Sequence, residues 1–284
     1  MAKTRTSVED AVCVVTGAGS GIGRALALEL AKRGARLALS DVSGGGLAET
    51  AQRASALGAA AHTARLDVSD RDAFFGYARA VVDHHGLVHQ LYNNAGVASS
   101  GTVLDSDWSE YQRVLSTNLF GVIHGTQAFL PHLIASGNGH VVNVSSLNGF
   151  MAQNGLSAYS ASKFGVRGFT EALRAEVLAA GHPVRVSVVH PGGVRTSIAS
   201  SALEHAKSVG HRVTAEEEAQ QKRYDEKLLR MPPEQAARII VDGVEAGRPR
   251  ILVGRDAKLV DAVVRWWPAH YPALVAGLAR RASR

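Results

Sequence analysis

Short apolar runs rich in β-branched residues recur along the chain, and longer segments with apolar residues at helical spacing separate them. The runs predicted to form strands are Val12 to Thr16, Arg36 to Ser40, Leu87 to Asn93, Gly139 to Ser145 and Val184 to His190. Because these runs are apolar almost throughout, we expect helices to cover both faces of the sheet. The pattern therefore predicts an α/β fold, a single doubly wound parallel-sheet domain of three layers.

The first helical segment has a clear apolar face. Ile22, Leu26 and Leu30 fall on one side of it, and Gly34 lies where helices commonly end. We expect this helix to pack directly on the sheet.

The chain has no internal repeat and no linker rich in Gly, Ser or Pro. We therefore expect one domain over residues 1–284, with its core at 8–198. Two segments depart from the alternation of strands and helices, a polar stretch within 199–232 and a C-terminal extension at 255–284. We interpret both as additions to the core.

Composition argues against several classes of protein. With 284 residues, 46% of them hydrophobic, the chain can bury a full core and is not expected to be disordered. The single cysteine, Cys13, cannot form an internal disulfide, which favours a reducing, cytoplasmic setting. Residues 1–10 carry charges without an apolar stretch, so no signal peptide is expected. No run reaches the roughly 18 apolar residues that a membrane-spanning helix needs.

The net charge of +6 is concentrated at the C-terminus. Between Arg248 and Arg284 there are eight Lys or Arg residues and two Asp residues, so the rest of the chain is net neutral. A protein that binds nucleic acid normally spreads basic residues over a face of its folded domain. We therefore expect no nucleic-acid partner.

A glycine-rich segment, Thr16 to Gly23, links the first strand to the first helix. Glycines permit a tight turn there, and the N–H groups of the helix N-terminus attract a pyrophosphate. The residues predicted to hold a dinucleotide at this turn are Gly17, Ser20, Gly21, Ile22 and Gly23.

Asp41, at the end of the second strand, can accept hydrogen bonds from both ribose hydroxyls and would repel a 2′-phosphate. Its neighbours Ser40 and Val42 are not basic, so NAD is preferred over NADP. Asp67 and Val68 follow a further strand predicted between Asp41 and Leu87 and are expected at the adenine edge, although Asp67 fits an exposed loop nearly as well.

The glycine spacing and further motifs in the same order resemble the short-chain dehydrogenase/reductase family. These motifs are Asn93-Asn94-Ala95-Gly96, Asn118, Ser146, Tyr159-Ser160-Ala161-Ser162-Lys163 and the turn Pro191 to Thr196. Ser146 lies 13 residues before Tyr159, as the family's catalytic serine does. The match extends over residues 8 to 198 and implies a Rossmann-like, NAD(P)-dependent oxidoreductase.

The resemblance implies roles for the residues at matching positions. The implied catalytic residues are Asn118, Ser146, Tyr159 and Lys163. The implied cofactor contacts beyond the glycine-rich turn are Asn94, Ala95, Gly96, Tyr159, Lys163, Pro191, Gly192, Val194 and Thr196. Residues 199–232 correspond to the family's variable lid, which is long and highly charged here, and we expect a mobile helical lid.

The chemistry of these residues supports the same reading. Transfer of a hydride at a carbinol carbon needs a group that exchanges a proton with the alcohol oxygen, and Tyr159 can do so. Lys163, four residues later, places a positive charge on the same helix face and favours the phenolate. Ser146 can hold the substrate oxygen, and Asn118 can anchor a water chain that returns the proton through Lys163.

The segment between Ser146 and Tyr159 is expected, by the same resemblance, to line the substrate side of the site. The candidate substrate contacts are Ser146, Asn148, Phe150, Gln153, Leu156 and Tyr159. The segment is rich in apolar residues and holds no Arg or Lys, which favours a small apolar alcohol or ketone.

The C-terminus departs from the common family pattern, because residues 255–284 follow the last predicted strand. This departure puts the family's tetramer in doubt. We expect a homodimer or a homotetramer, with at least the dimer formed through the helices that carry Asn118 and Tyr159.

The extension combines Trp266 and Trp267 with positive charge, which suits peripheral contact with anionic membranes. The favoured alternative is that these aromatics cover the protein's own core or a subunit interface, since prolines interrupt any long amphipathic helix.

Three other interpretations of the sequence compete with the enzyme. His84, His85 and His89 cluster in the sequence where a helix runs into a strand, and no metal site is expected there. A catalytically silent NAD-binding sensor or scaffold should have lost a residue of the catalytic set, and none is lost. An enzyme of the same family with an epimerase-type outcome stays open as an alternative.

Overall fold

The computed structural model of the protein describes residues 7–208 and 229–282. Within these ranges seven parallel strands form one sheet in the order β3-β2-β1-β4-β5-β6-β7. The strands are β1 (Val12–Thr16), β2 (Arg36–Asp41), β3 (Ala61–Arg65), β4 (Gln90–Asn93), β5 (Gly139–Val144), β6 (Val184–Pro191) and β7 (Arg250–Val253). All five runs predicted from the sequence are strands, with small shifts at their ends.

Helices pack on both faces of this sheet. They are α1 (Gly21–Lys32), α2 (Gly44–Ser55), α3 (Arg71–His85), α4 (Trp108–Leu115), α5 (Gly121–Ala135), α6 (Ser157–Ala179), α7 (Ile198–Ser208), α8 (Pro233–Glu245), α9 (Arg255–Trp266) and α10 (Tyr271–Ala282). The apolar faces of α1, α2 and α8 share one buried cluster with the sheet, and those of α3, α5 and α6 share the other. The predicted three-layer α/β fold is therefore confirmed.

The first helix packs as predicted. Leu26 and Leu30 are fully buried, and Ile22 packs against the same cluster. At its end the N–H groups of Gly34 and Ala35 donate to the carbonyls of Ala31 and Leu30, at 3.0 and 3.1 Å. These bonds satisfy carbonyls that the helix leaves open and turn the chain back into β2.

The strand order reverses around β1, because β2 and β3 lie on one side of it and β4 to β7 on the other. At such a switch point the loops that follow neighbouring strands diverge and leave a crevice at the carboxyl edge of the sheet. The glycine-rich turn follows β1 and residues 94–96 follow β4, so both border this crevice.

A π-helical turn, Ser116–Phe120, joins α4 to α5 and carries Asn118. A short 3₁₀ helix, Leu147–Gly149, follows β5 and begins at Ser146. Irregular turns of this kind are common at functional sites, where they redirect a side chain or a backbone group. Both turns here border the carboxyl edge of the sheet.

Much of the predicted lid, residues 209–228, lies outside the described residues, as do residues 1–6. The charged runs at 216–218 and 222–223 belong to that part of the lid. The described beginning of the lid is α7, where His205 Nε2 lies 2.9 Å from Glu110 Oε1 of α4. In the described part of the chain, no helix combines the length and apolarity needed to cross a membrane.

Candidate active site

Thr16 ties the glycine-rich turn to the loop after β4. Its hydroxyl oxygen accepts hydrogen bonds from the backbone N–H groups of Asn94 and Ala95, at 3.0 and 3.1 Å. The Asn94 amide in turn donates to the carbonyl oxygens of Thr16 and Gly17, at 3.0 and 3.3 Å. Asn94 and Ala95 therefore hold the turn against the crevice. The sequence analysis did not identify Thr16 as a site residue, although its position at the end of the first predicted strand was a signal.

The turn itself forms a cradle in which side chains have no room. Gly17 has a φ of 66°, and a Cβ on it would lie 2.8 Å from the Ala95 Cα atom. A Cβ on Gly23 would run into the carbonyl oxygen of Gly17, and one on Gly21 would lie 3.2 Å from Thr196 Cγ2. The first-turn N–H groups of α1 have no acceptor within the helix, and α1 begins at Gly21 in this turn. Backbone of this shape fits the pyrophosphate of a dinucleotide.

Asp41 stands at the end of β2 and closes the outer side of the turn. Its Oδ2 accepts from the Gly19 N–H and its Oδ1 from the Ser43 N–H, both at 2.8 Å. Each carboxylate oxygen keeps a lone pair for a ribose hydroxyl.

Two arginines that sequence reasoning missed lie close to Asp41. Arg24 donates to the Gly19 carbonyl at 2.6 Å and pairs with Glu49 at 2.7 Å. Arg65, the neighbour of Asp41 across the β2 and β3 pair, donates to the Val42 carbonyl at 3.2 Å. Neither arginine adjoins Asp41 in sequence, so only the fold brings positive charge near the expected ribose position.

Asp67 and Val68 lie in the loop after β3. Asp67 is exposed, and its Oδ1 accepts from the N–H and the hydroxyl of Ser69, at 2.9 and 2.7 Å. Val68 is buried against Gly121, and its carbonyl oxygen lies 3.1 Å from His124 Nδ1. Ser69 and His124 are therefore the partners of these two residues in the structure, and their contact with adenine stays a prediction.

Two hydrogen bonds fasten the end of β5 to α6. The Ser145 hydroxyl donates to the Lys163 carbonyl at 2.8 Å, and Lys163 Nζ donates to the Val144 carbonyl at 3.1 Å. Ser145 is buried by this contact, while Ser146 is only partly buried. The Ser146 hydroxyl oxygen accepts from the Asn148 N–H at 3.1 Å. The arrangement brings Ser146 beside the turn of α6 that carries Tyr159 and Lys163.

The Lys163 side chain lies in the interior, with 3% of the residue exposed. Burial lowers the pKa of its ammonium group to about 8. The Nζ atom lies 5.7 Å from the centre of the Tyr159 ring, and a Cβ on Gly96 would lie 3.4 Å from Nζ. Tyr159, Lys163 and the loop after β4 therefore meet at one place.

Asn118 is fully buried on the π-helical turn. Its Oδ1 accepts from the Val97 N–H at 2.8 Å, and its Nδ2 donates to the Val97 carbonyl and to the Ser162 hydroxyl, at 2.9 and 3.1 Å. A Cβ on Gly96 would lie 3.2 Å from Asn118 Oδ1. The side chain therefore fixes the loop after β4 against α6.

The loop after β6, Pro191 to Thr196, is held by residues from the C-terminal part of the chain. The Gly192 N–H donates to the Val253 carbonyl at 2.9 Å, and the Gly193 N–H donates to Asp256 Oδ2 at 2.6 Å. Val194 forms a bridge with Met231. Thr196 lies against Gly21 across the crevice, so this loop faces the dinucleotide cradle.

The residues predicted to contact substrate differ in their contacts and in their exposure. Gln153 Nε2 donates to Asn148 Oδ1 at 3.1 Å, and Leu156 forms a backbone bridge with Gly101. Asn148 is 4% exposed and Phe150 only 2%, so Phe150 offers a substrate little surface in this structure. Its ring packs instead against His190, with the two ring centres 5.0 Å apart. Phe150 therefore supports the site from behind.

His190 is a site residue that sequence reasoning missed. It is fully buried at the end of β6, and its Nδ1 lies 2.8 Å from the Ser146 carbonyl oxygen. Burial lowers the pKa of the imidazole to about 4. The only available signal was a polar residue at the end of a strand, just before Pro191.

The histidine cluster differs from the one expected. The rings of His84 and His85 lie against His62 of β3, with ring centres 4.9 and 6.1 Å from it, whereas His89 Nδ1 accepts from the Val12 N–H at 3.1 Å. The His62 and His84 rings are stacked, so their nitrogens do not converge on a point. Within residues 7–208 and 229–282, no group of three His, Cys, Asp or Glu side chains is arranged to hold a metal ion.

Comparisons with known proteins identify the family of the chain. Residues 11–207 match the short chain dehydrogenase family. A curated relative from Mycobacterium tuberculosis, named "Putative oxidoreductase SadH", is 51% identical over 274 residues, which cover 95% of this chain and 96% of the relative. The chain therefore belongs to the short-chain dehydrogenase/reductase family of oxidoreductases.

Two solved structures show the same architecture. A short chain dehydrogenase/reductase from Burkholderia phymatum in complex with NAD has a TM-score of 0.85 and 30% identity, covering 94% of this chain and 95% of that one. A short chain dehydrogenase from Mycobacterium paratuberculosis bound to NAD has a TM-score of 0.75 and 25% identity, covering 89% of this chain and 100% of that one.

Proposed function

We propose that this protein is an NAD(H)-dependent alcohol dehydrogenase or ketone reductase. Its substrate is an apolar secondary alcohol or the matching ketone, and Tyr159 is the general acid and base. The observation that carries the proposal is the position of Lys163, whose buried ammonium lies 5.7 Å from the centre of the Tyr159 ring and bonds to the strand end that precedes Ser146. A buried cation beside a tyrosine in a crevice is an arrangement suited to proton transfer.

Three side chains divide the proposed proton chemistry. The Ser146 oxygen already accepts a bond from Asn148, so its own hydrogen can be donated to the substrate oxygen and hold it near Tyr159. During oxidation the Tyr159 phenolate takes the alcohol proton, and during reduction the phenol returns a proton to the ketone oxygen. Lys163 favours the phenolate because a nearby opposite charge stabilises the ionised form.

Asn118 has a supporting task in this proposal. It holds both backbone groups of Val97 and so keeps the loop after β4 beside Lys163. A water chain anchored near Asn118 would carry the proton between Lys163 and solvent.

The crevice residues fit a nicotinamide dinucleotide, which supplies or accepts the hydride when it is bound. The glycine cradle fits its pyrophosphate, since the close packing at Gly17, Gly21 and Gly23 excludes side chains and leaves the backbone bare at the start of α1. Asn94, Ala95 and Gly96 would border its nicotinamide half. The loop Pro191 to Thr196, with Gly192 and Val194, would hold the carboxamide.

Asp41 supports NAD over NADP, because its carboxylate at the ribose position would repel a 2′-phosphate. Arg24 would attract that phosphate, but Glu49 at 2.7 Å offsets its charge. The cytoplasmic setting, inferred from the single buried Cys13, stays a prediction.

We also propose a homodimer and a single domain. The helices that carry Asn118 and Tyr159 each expose a phenylalanine, Phe120 at 48% and Phe164 at 39%, which supports their contact with a second copy. The domain would span residues 1–284, with its core at 8–198, the lid at 199–232 and the extension at 255–284.

The test begins with fluorescence titration of the purified protein with NADH and NADPH. A screen of secondary alcohols with NAD then compares wild type with Tyr159→Phe. We expect the variant still to bind NADH, since Tyr159 is one of many proposed cofactor contacts, and to lose about 100-fold or more of its turnover, because the acid and base group is gone. Tyr77→Phe, a change at a buried tyrosine of α3, is the matched control and should keep full turnover.

Two outcomes would contradict the proposal. If Tyr159→Phe kept its turnover, Tyr159 would not be the general acid and base. Tight NADH binding by wild type without turnover of any alcohol or ketone would favour the silent sensor.

A further inference from the structure

The outer face of α9 carries an apolar stripe beside a basic one. Its exposed apolar residues, Leu259, Ala262 and Trp266, recur at helical spacing. The exposed basic residues on the same face are Arg255, Lys258 and Arg265. The inner face fastens the helix to the protein through buried Ala257 and through the Asp261 carboxylate, 2.5 Å from Arg250 of β7.

The apolar stripe continues into the start of α10. Trp266 is 81% exposed, Leu259 66%, Trp267 58% and Leu274 53%, and we call these four residues the tail surface. These exposures are incompatible with the expectation that the aromatics cover the protein's own core. A contiguous patch of exposed apolar side chains on a folded protein commonly marks a site that binds another protein, a ligand or a membrane.

The charge around the tail surface favours an anionic occupant. On α9 the basic Arg255, Lys258 and Arg265 are exposed beside the apolar stripe, while Asp261 pairs with Arg250 and Arg265 and Asp256 accepts from the Gly193 N–H. In a two-fold contact with a second copy through this surface, the exposed basic residues would face their own copies, and like charges would oppose the association. An anionic bilayer instead attracts the basic residues, while the aromatic side chains enter its interface.

The tail surface also adjoins the substrate side of the site. The Tyr271 hydroxyl oxygen of α10 accepts a hydrogen bond from the Ala152 N–H at 3.1 Å, and residue 152 lies in the segment between Ser146 and Tyr159. On the other side of that segment the Gly101 N–H donates to the Gly155 carbonyl at 2.9 Å. The loop that carries Gly101 exposes two more apolar side chains, Val103 at 71% and Leu104 at 96%.

We propose that the tail surface docks on the interface of an anionic lipid bilayer and that the apolar substrate enters the site from that bilayer. The docking rests on the exposed aromatic and basic residues of α9 and α10. The entry of substrate from the bilayer rests on the proposed dehydrogenase function as well.

The test is flotation of the full-length protein with vesicles. One vesicle preparation is phosphatidylcholine alone and the other contains equal parts of phosphatidylcholine and phosphatidylglycerol. We expect flotation with the anionic vesicles only, weakened by added salt and accompanied by a blue shift of tryptophan emission. The variant with Trp266→Ser and Trp267→Ser should bind these vesicles roughly tenfold more weakly or worse, as should Lys258→Glu.

Leu178→Ser is the matched control, because Leu178 is 63% exposed near the end of α6, at the opposite edge of the sheet. It should float like wild type. Turnover of a short, water-soluble secondary alcohol without vesicles should be unchanged in all of these variants. If wild type floats but turns over no alcohol, the proposed function fails and the docking stands.

Three results would overturn the docking proposal. The first is the absence of flotation of wild type with anionic vesicles, and the second is equal flotation of the double tryptophan variant. The third is light scattering after gel filtration that shows a smaller assembly for the double variant than for wild type, which would make the tail surface a subunit interface.

Discussion

The Nδ1 atom of His190 lies 2.8 Å from the carbonyl oxygen of Ser146, so the end of β6 holds the end of β5. A carbonyl oxygen only accepts, and Nδ1 therefore carries the imidazole proton. The lowered pKa of about 4 keeps the ring neutral near neutral pH. His190 thus fixes the backbone of the proposed catalytic serine from behind, with the Phe150 ring packed against it.

Replacing His190 by leucine should misplace Ser146. The variant loses one buried hydrogen bond of about 1 kcal/mol, so we expect kcat to fall about fivefold. The KM for NAD should stay the same, because the glycine cradle is built from other strands and the loop after His190 is anchored separately by Val253, Asp256 and Met231. Steady-state kinetics with both substrates varied measures the two effects separately.

His190→Asn is the control for this prediction, because its amide nitrogen can take the place of Nδ1. It should recover most of the lost kcat. Equal losses in the two variants, or a raised KM for NAD in His190→Leu, would contradict a positioning role.

Asp41→Ser should shift the cofactor preference toward NADP. The change removes the carboxylate that repels a 2′-phosphate and leaves Arg24 and Arg65 beside the same turn. We expect the ratio of kcat/KM for NADP to that for NAD to rise by about 10-fold to 100-fold. Asp67→Ser, a change at an exposed aspartate farther along the chain, should leave this ratio unchanged. A ratio that does not move in Asp41→Ser would show that Asp41 does not face the ribose.

Lys163→Met should stabilise the protein while it abolishes turnover. The ammonium group is charged near neutral pH although its site is buried, and removing it should raise the free energy of unfolding by about 1–3 kcal/mol. Thermal and urea unfolding of both proteins measure this difference. A Lys163→Met variant less stable than wild type at neutral pH would mean that the bond to the Val144 carbonyl outweighs the burial of charge.

The pH dependence of that difference has a definite sign. The pKa of Lys163 is about 8 in the folded protein, below its ordinary value of 10.5. Below pH 8 both the folded and the unfolded chain carry the proton, so the full destabilisation is present. Between about pH 8 and 10.5 the folded chain loses its proton first, and the stability of wild type rises relative to Lys163→Met. The gap between the two proteins should therefore close over this range.

Phe120→Asp combined with Phe164→Asp should yield a monomer. Both side chains are exposed on the helices proposed to meet in the dimer, and two buried charges per copy would oppose association. Gel filtration with light scattering at micromolar concentration measures the mass. Leu57→Asp, at an exposed leucine just after α2, is the control and should leave the wild-type mass unchanged. A wild type that is already monomeric would contradict the dimer.

The sequence by itself determined the structural features that depend on local patterns. Apolar runs such as Val12 to Thr16, the turn from Gly17 to Gly23, and the four-residue spacing of Tyr159 and Lys163 are each visible within one segment. Strand period, glycine geometry and helix period act over a few residues, and parallel strands bring their carboxyl ends to one edge of the sheet. The strand positions and the doubly wound fold followed from these patterns alone.

Only the tertiary structure decided the contacts between segments that lie far apart in sequence. It brought Arg24 near Asp41, replaced His89 by His62 in the histidine cluster, buried Phe150 against His190 and set His190 behind Ser146. It also left Trp266 in solvent. The physical reason is that a side chain's partner depends on which strands and helices pack together and in what register, and no period within a single segment encodes that choice.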